Sequence, residues 1–197
     1  MRRHHVPPMV SDLILTALSL FDGVVFDCHD TCRHCGGELT PHDFRTKRFA
    51  VIIDGGEQRS LTVLVKRFSC TRCGISSLAD EPFYPGTRIG SPVVDLCITL
   101  SLAMPCYRAS AYLEDIGVVV DRWSVRNYLL HSGENVQSAS MFGIRIPLSI
   151  ISLATLASRL PPGSAVTGSE LLEACGDPSG QKQFPAKVRD NDSRGLQ

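Results

Sequence analysis

The chain of 197 residues has no long apolar run, no excess of either charge and a single tryptophan. Each shortage excludes something. A membrane-spanning helix needs about 20 consecutive apolar residues. The nearest candidate, Ile144–Leu160, is interrupted by Arg145, Pro147 and Arg159, so no membrane partner is expected. With 20 basic and 20 acidic residues the formal net charge is zero, and the chain as a whole is no general magnet for polyanions. There is no Gly-rich phosphate loop, nucleophile elbow or HExxH. The catalytic machinery those motifs announce is missing, no catalytic residue is assigned, and the chain is not read as an enzyme. The apolar run Leu13–Phe21 is flanked by Asp12 and Asp22 with no small-residue cleavage site after it. No secretory signal is read there, which points to the cytoplasm and to reduced thiols.

Cysteine is what the chain has in quantity: Cys28, Cys32, Cys35, Cys70, Cys73, Cys97, Cys106 and Cys175. Four of them fall into two matched motifs, Cys32-Arg33-His34-Cys35-Gly36-Gly37 and Cys70-Thr71-Arg72-Cys73-Gly74. A CxxC turn places two thiolates side by side, and the trailing glycine lets the backbone curl so that its N–H groups face the sulfurs. Two such knuckles complete a tetrahedron around one ion, the pattern of a four-cysteine zinc ribbon. One structural Zn²⁺ held by Cys32, Cys35, Cys70 and Cys73 is expected, because four thiolates leave no open position for water. Cys28, His29 and His34 lie close enough to compete as ligands, but only the two CxxC pairs mirror each other in spacing and glycine. A thiol redox enzyme is disfavoured: no thioredoxin-like βαβ pattern surrounds either pair, and the second would be idle.

Between the knuckles, Phe44–Asp54 and Leu61–Phe68 are rich in β-formers and are joined through Asp54-Gly55-Gly56. They predict a hairpin whose return strand delivers Cys70 to Cys35. From Pro41 to Cys73 seven basic residues (Arg45, Lys47, Arg48, Arg59, Lys66, Arg67, Arg72) oppose three acidic ones (Asp43, Asp54, Glu57). Such a local excess favours an anionic partner, nucleic acid first, although a solvated hairpin face reads the same way. Lys66 and Arg67 are candidate contacts.

Elsewhere the pattern is helical, which gives an α+β fold class. Pro7-Pro8 predicts an unstructured start, Ser11 a cap, and Asp12–Phe21 a short amphipathic helix. The irregular stretch at 81–90 (Glu81-Pro82-Phe83-Tyr84-Pro85-Gly86 at its heart) reads as a linker. Ser91-Pro92 starts an apolar helix that Met104-Pro105 ends. A second helix runs to Gly117, and Asp121 caps a third, Arg122–His131. These predict a helix-turn-helix over 91–131 in which the exposed face of the last helix presents Arg122, Trp123, Arg126 and Asn127. Arginine can bridge guanine edges, asparagine can pair with adenine, and either can hold phosphate. A three-helix packing module with Trp123 in the core is the plain alternative. Residues 132–163 read as a linker with a short helix near Leu148–Leu160, and 164–197 as a mostly disordered tail with one more helical turn at Gly168–Ala174 before the polar stretch 176–197. The expected divisions are therefore an N-terminal arm (1–23), the ribbon (24–80), the linker, the helix-turn-helix, and the two C-terminal stretches.

The order of these parts resembles the N-terminal half of prokaryotic insertion-sequence transposases. The likeness rests on the ribbon, the Pro82-Phe83-Tyr84-Pro85 connector, and then Arg108, Leu113-Glu114, Gly117, Val120-Asp121, Ser124-Val125 and Tyr128. It covers about residues 30–131. It implies a sequence-specific, double-stranded-DNA-binding module, with Arg108 joining the residues named above. It also implies transposition and DNA recombination as the setting, and a second copy or a separately encoded catalytic subunit as further partner. In that family a ribonuclease-H-like domain with three acidic residues follows. Asp177, Asp190 and Asp192 sit in the polar tail with no strands to present them, so the resemblance implies a product that keeps the DNA-binding part and lacks the nuclease. The competing expectation is a zinc-ribbon protein-interaction or regulatory module, favoured by the balanced charge of 105–131, where three arginines meet Glu114, Asp115 and Asp121.

Overall fold

The computed structural model describes residues 6–131, 136–161, 164–176 and 178. Its described part is α+β, with six helices and two sheets. The first helix, α1, spans Pro8–Ser19 and starts earlier than the sequence predicts. Pro8 does not stop it, because proline at the first helical position loses no intrahelical hydrogen bond and already holds a helical φ. Pro7, not Ser11, is the capping residue. Val10, Ile14, Ala17 and Leu18 form its buried stripe.

A short strand β1 (Val25–Phe26) leads to the long hairpin β2 (Leu39–Asp54) and β3 (Glu57–Cys70), followed by β4 (Ser76–Leu78). The strands of the hairpin pair antiparallel from Leu39↔Cys70 to Asp54↔Glu57. Gly55 and Gly56 form the turn at φ 60° and 88°, the positive-φ pair that matches strand twist. The strands reach further than the sequence predicts, back to the knuckles themselves. Burial along β2 is uneven. Residues 40–46 are exposed, whereas Phe49, Ala50 and Ile52 are buried. Along β3 the residues beside the turn are exposed, and Leu61, Val63, Val65 and Phe68 are buried, so it is the 40–46 stretch of β2 that stands out from the core.

The connector at 81–90 is irregular, as expected, yet it is plugged into the core. Phe83 and Tyr84 are buried, and the Phe83 ring meets Phe49 edge-on at 6.1 Å. Phe49 also stacks on Phe21 at 4.0 Å. Gly90 lies so close to this ring that an added Cβ would sit 2.0 Å from Phe49 Cε2.

Helix α2 (Ser91–Ala103) follows, with every residue from Ser91 to Leu100 buried. A helix apolar almost all round belongs at the centre of a fold. Asp95 is its charged exception. Its carboxylate accepts hydrogen bonds from Tyr84 Oη (2.7 Å) and Ser149 Oγ (2.9 Å), the pairing a buried carboxylate requires. Helices α3 (Cys106–Ile116) and α4 (Arg122–His131) come next. The extended segment between them docks on the hairpin: Ile53 N–H donates to Gly117 O (2.8 Å), Val119 N–H donates to Val51 O (2.9 Å), and Val118 bridges Ile52.

The C-terminal part departs from expectation. Residues 138–147 form a hairpin, β5 (Ser138–Met141) and β6 (Ile144–Pro147). Helix α5 (Leu148–Arg159) packs on α1, and α6 (Gly168–Cys175) packs on α5. The turn expected at Gly168–Ala174 is thus a helix, and it contributes Leu171, Leu172 and Cys175 to the core. The expected tail from residue 179 on, and the acidic residues Asp177, Asp190 and Asp192, lie outside the described residues. Buried apolar side chains form one cluster from Val10 to Cys175, which runs through the divisions drawn from sequence.

Candidate functional site

The two cysteine knuckles are built alike. In the first, Cys32 N–H donates to Gly37 O (3.0 Å) and Gly36 N–H to Cys32 O (2.8 Å). In the second, Cys70 N–H donates to Ile75 O and Gly74 N–H to Cys70 O, both at 3.0 Å. Gly36 and Gly74 sit at φ 67° and 71°, a left-handed backbone that closes each turn and that side chains with a Cβ resist. The β2–β3 register then brings the knuckles together through Leu39↔Cys70.

The sulfurs meet in one cluster. Cys32 and Cys73 Sγ are 3.7 Å apart, Cys35 and Cys70 Sγ 3.5 Å, and all four lie within 4.8 Å of one another. A tetrahedron with metal–sulfur bonds near 2.3 Å has edges of about 3.8 Å, so the cluster is already the size of a four-thiolate shell. These four residues could hold a metal ion.

The donor chemistry fits as well. The N–H groups of Cys73 and Arg72 face the Cys70 sulfur, and the first of these does most to pull its thiol down to about 6. Gly37 N–H faces Cys35 and acts the same way, but proton sharing with Cys70 and Cys73 outweighs it and pushes the Cys35 thiol up to about 12. Without an ion, then, four crowded sulfurs share protons, and a cation would replace those protons. Gly37 packs on the cluster itself: a Cβ there would lie 3.0 Å from Cys70 Sγ and 3.2 Å from Cys35 Sγ.

Cys28 is exposed, and its thiol is pushed up by burial of the sulfur and by Asp27. Cys28, His29 and His34 all lie outside the four-sulfur cluster. His29 instead faces Asp80 through Nδ1 at 3.4 Å, and Arg33 also bonds Asp80. This small clasp ties the first knuckle to the strand beyond the second. The sequence reading missed it, because nothing in the spacing of residue 80 marks it as a partner.

The expected nucleic-acid residues separate into two groups. Those on the hairpin are engaged locally. Arg67 makes a two-pronged bond to Asp43 at 2.6 and 2.7 Å, and the Lys66 ammonium lies over the Phe44 and Phe68 rings at 5.5 and 5.8 Å. Lys47 bonds Glu81 at 2.7 Å and Arg59 bonds Asp22 at 2.8 Å. Much of the basic excess counted along the hairpin is thus matched by carboxylates, some from outside the counted stretch.

The helical group is presented to solvent. Arg122, Trp123, Arg126 and Asn127 are exposed on one side of α4, and Arg108 is exposed on α3. Trp123 is not core, whereas Val125 and Tyr128 are buried as expected. Asp121 caps α4 by accepting from Trp123 N–H (2.9 Å) and Ser124 N–H (3.0 Å). The Ser124 hydroxyl also donates to this carboxylate (2.6 Å), and that bond first, then the backbone ones, holds the carboxyl below the usual range. Tyr107, which the sequence reading did not single out, joins Trp123, Arg122 and Arg126 in lining a shallow groove.

Among the described residues no helix is long and apolar enough to cross a membrane. Comparison of the chain with protein-family models, with curated proteins and with solved structures finds no match.

Proposed function

We propose that this chain is a zinc-stabilised, sequence-specific DNA-binding protein of transposase-derived type, with no catalytic role of its own, acting in the cytoplasm. In this reading the four-cysteine cluster is a structural zinc ribbon, and α2, α3 and α4 form a helix-turn-helix with α4 as its recognition helix. The observation that carries the reading is the pairing of two features in one body. A preformed four-sulfur shell lies at the knuckle end of the hairpin, and the core-packed part of β2 holds the segment that aims α4. The metal would fix the knuckle end of the hairpin, the core-packed part of β2 would fix the turn, and the turn would present Arg122, Arg126 and Asn127 to a groove, with Arg108 on the flanking backbone.

Zinc suits the cluster because thiolates are soft donors and the shell is closed. No position remains for a reactive water, which supports a structural and not a catalytic ion. A mobility-shift series with zinc-loaded protein at low salt tests the reading. Retention of duplex DNA by the loaded protein is the expected outcome; no retention of any duplex overturns it.

One observation favours a second reading, a docking module for another protein. Leu102, Tyr107, Trp123 and Leu130 are all exposed large side chains on α2, α3 and α4, and apolar surface of this kind marks partner sites when it is contiguous. Binding that is insensitive to salt would separate this reading from the first.

A further inference from the structure

The groove between the starts of α3 and α4 has a composition that duplex readout does not explain. Its lining is Cys106, Tyr107, Arg122, Trp123 and Arg126, around a volume of about 250 Å³. Trp123 is 63% exposed and Tyr107 59%. Side chains that read base edges in a major groove are chiefly arginine, lysine, asparagine and glutamine. Large flat rings serve a different contact, stacking on the face of an unpaired base. We infer that this groove receives an unpaired base, so that the nucleic acid this protein prefers carries a single-stranded stretch beside its duplex.

Four features argue for that occupant. The lining holds two guanidinium groups and no carboxylate, which complements a phosphate backbone. The Arg122 guanidinium lies 5.2 Å from the centre of the Trp123 ring, a cation–π contact that pairs a stacking surface with a phosphate-seeking group. Both rings stand in the first turns of their helices, where aligned backbone dipoles add positive potential. The volume falls below the roughly 300 Å³ at which pockets for drug-sized molecules begin, which suits one planar base better than a whole cofactor. The inference rests on the DNA-binding reading above and specifies the form of DNA.

The test uses the fact that Trp123 is the only tryptophan in the chain, so emission excited at the red edge, where tyrosine does not absorb, reports on this groove. Zinc-loaded full-length protein is titrated at low salt with a blunt duplex, with the same duplex carrying a thymidine overhang, and with oligothymidylate. Affinity is followed in parallel by anisotropy of end-labelled DNA. The overhang duplex and oligothymidylate should quench Trp123 more strongly than the blunt duplex does, and the overhang should tighten binding roughly tenfold. Tyr107→Ala should erase that gain and Tyr107→Phe restore it. Both are changes of an exposed side chain, and far-UV circular dichroism checks that the fold is kept. Equal affinity for blunt and overhang duplexes, or equal quenching by both, overturns the inference while leaving DNA binding in place. Failure of every nucleic acid to bind overturns both readings, and Trp123 quenching by a protein ligand would then mark the groove as a docking site.

Discussion

Gly37 shows how closely a single residue is specified. Its φ is unremarkable, and the constraint is the space beside it, where Cys35 and Cys70 sulfurs and the Arg72 Cβ leave no room for a methyl group. Gly37→Ala should push one sulfur off its tetrahedral position and lower zinc affinity on the order of ten- to a hundredfold, the range seen when groups supporting a metal's ligands are disturbed. Competition with a chromophoric chelator reads this directly, and an unchanged affinity would show that the knuckle yields. The same cluster gives a pH dependence. Its ligands bind as thiolates, and the N–H groups facing Cys70 pull that thiol down to about 6 while proton sharing pushes Cys35 up to about 12. Protons therefore compete with the ion across the neutral range, and metal affinity should fall steadily as pH drops. An affinity that does not change with pH would mean that the ion displaces no protons from the sulfurs.

Among the elements, the Tyr84–Asp95–Ser149 network joins three that are distant in sequence: the connector, α2 and α5. Tyr84→Phe leaves the buried carboxylate short of one donor and should destabilise by about 1.5–3 kcal/mol, the range for a hydrogen bond to a charged group. Urea denaturation measures it, and a change near zero would mean that water or another donor replaces the hydroxyl. How far such elements can be read in the sequence depends on whether their signals are local. Asp54-Gly55-Gly56, Ser91-Pro92, Gly117 and Asp121 each mark an end by their own backbone chemistry, and the hairpin, α2, α3 and α4 are legible from them. The β5–β6 turn is not. Phe142 takes φ 53°, a conformation where phenylalanine is uncommon, so the turn lacks the usual asparagine or aspartate before its glycine. Helix α6 did carry a signal. Thr167 and Glu170 form a reciprocal capping box, masked by the polar run that follows. The four-cysteine cluster was legible because a CxxC pair encodes its own geometry. Tyr107 and Asp80 were not, because their roles arise only when separate elements meet.

In the whole molecule, metal and core divide the hairpin between them. β3 from Leu61 to Phe68 and β2 at Phe49, Ala50 and Ile52 lie in the apolar cluster, while Cys32 and Cys70, though buried, stand outside that cluster. Chelation should therefore loosen the knuckles and the exposed half of β2 and leave the helices folded. Hydrogen exchange would then rise near residues 32–46 and 70–76 while far-UV ellipticity at the helical minima holds. Global unfolding on chelation would show that the core depends on the metal after all. The same division bears on how DNA would be held. Three of the hairpin's cations are matched by Asp43, Asp22 and Glu81, and exposed ion pairs of this kind are worth little but do lower the local potential. Arg45, Arg48 and Arg72 stay exposed on the hairpin, and the proposed reading places phosphate on the exposed Arg108, Arg122 and Arg126 set of the helices. Three phosphate contacts predict that the logarithm of affinity for blunt duplex falls against the logarithm of salt concentration with a slope of roughly −3. Arg126→Ala should reduce that slope by about 1 and weaken all sequences alike if it holds phosphate. If Arg126 instead reads a guanine edge, the slope should stay and the preference at one base pair should relax. A steeper slope, with a loss on changing Arg45 or Arg48, would move the contact surface back to the hairpin. A slope near zero would assign the α4 face to a protein partner.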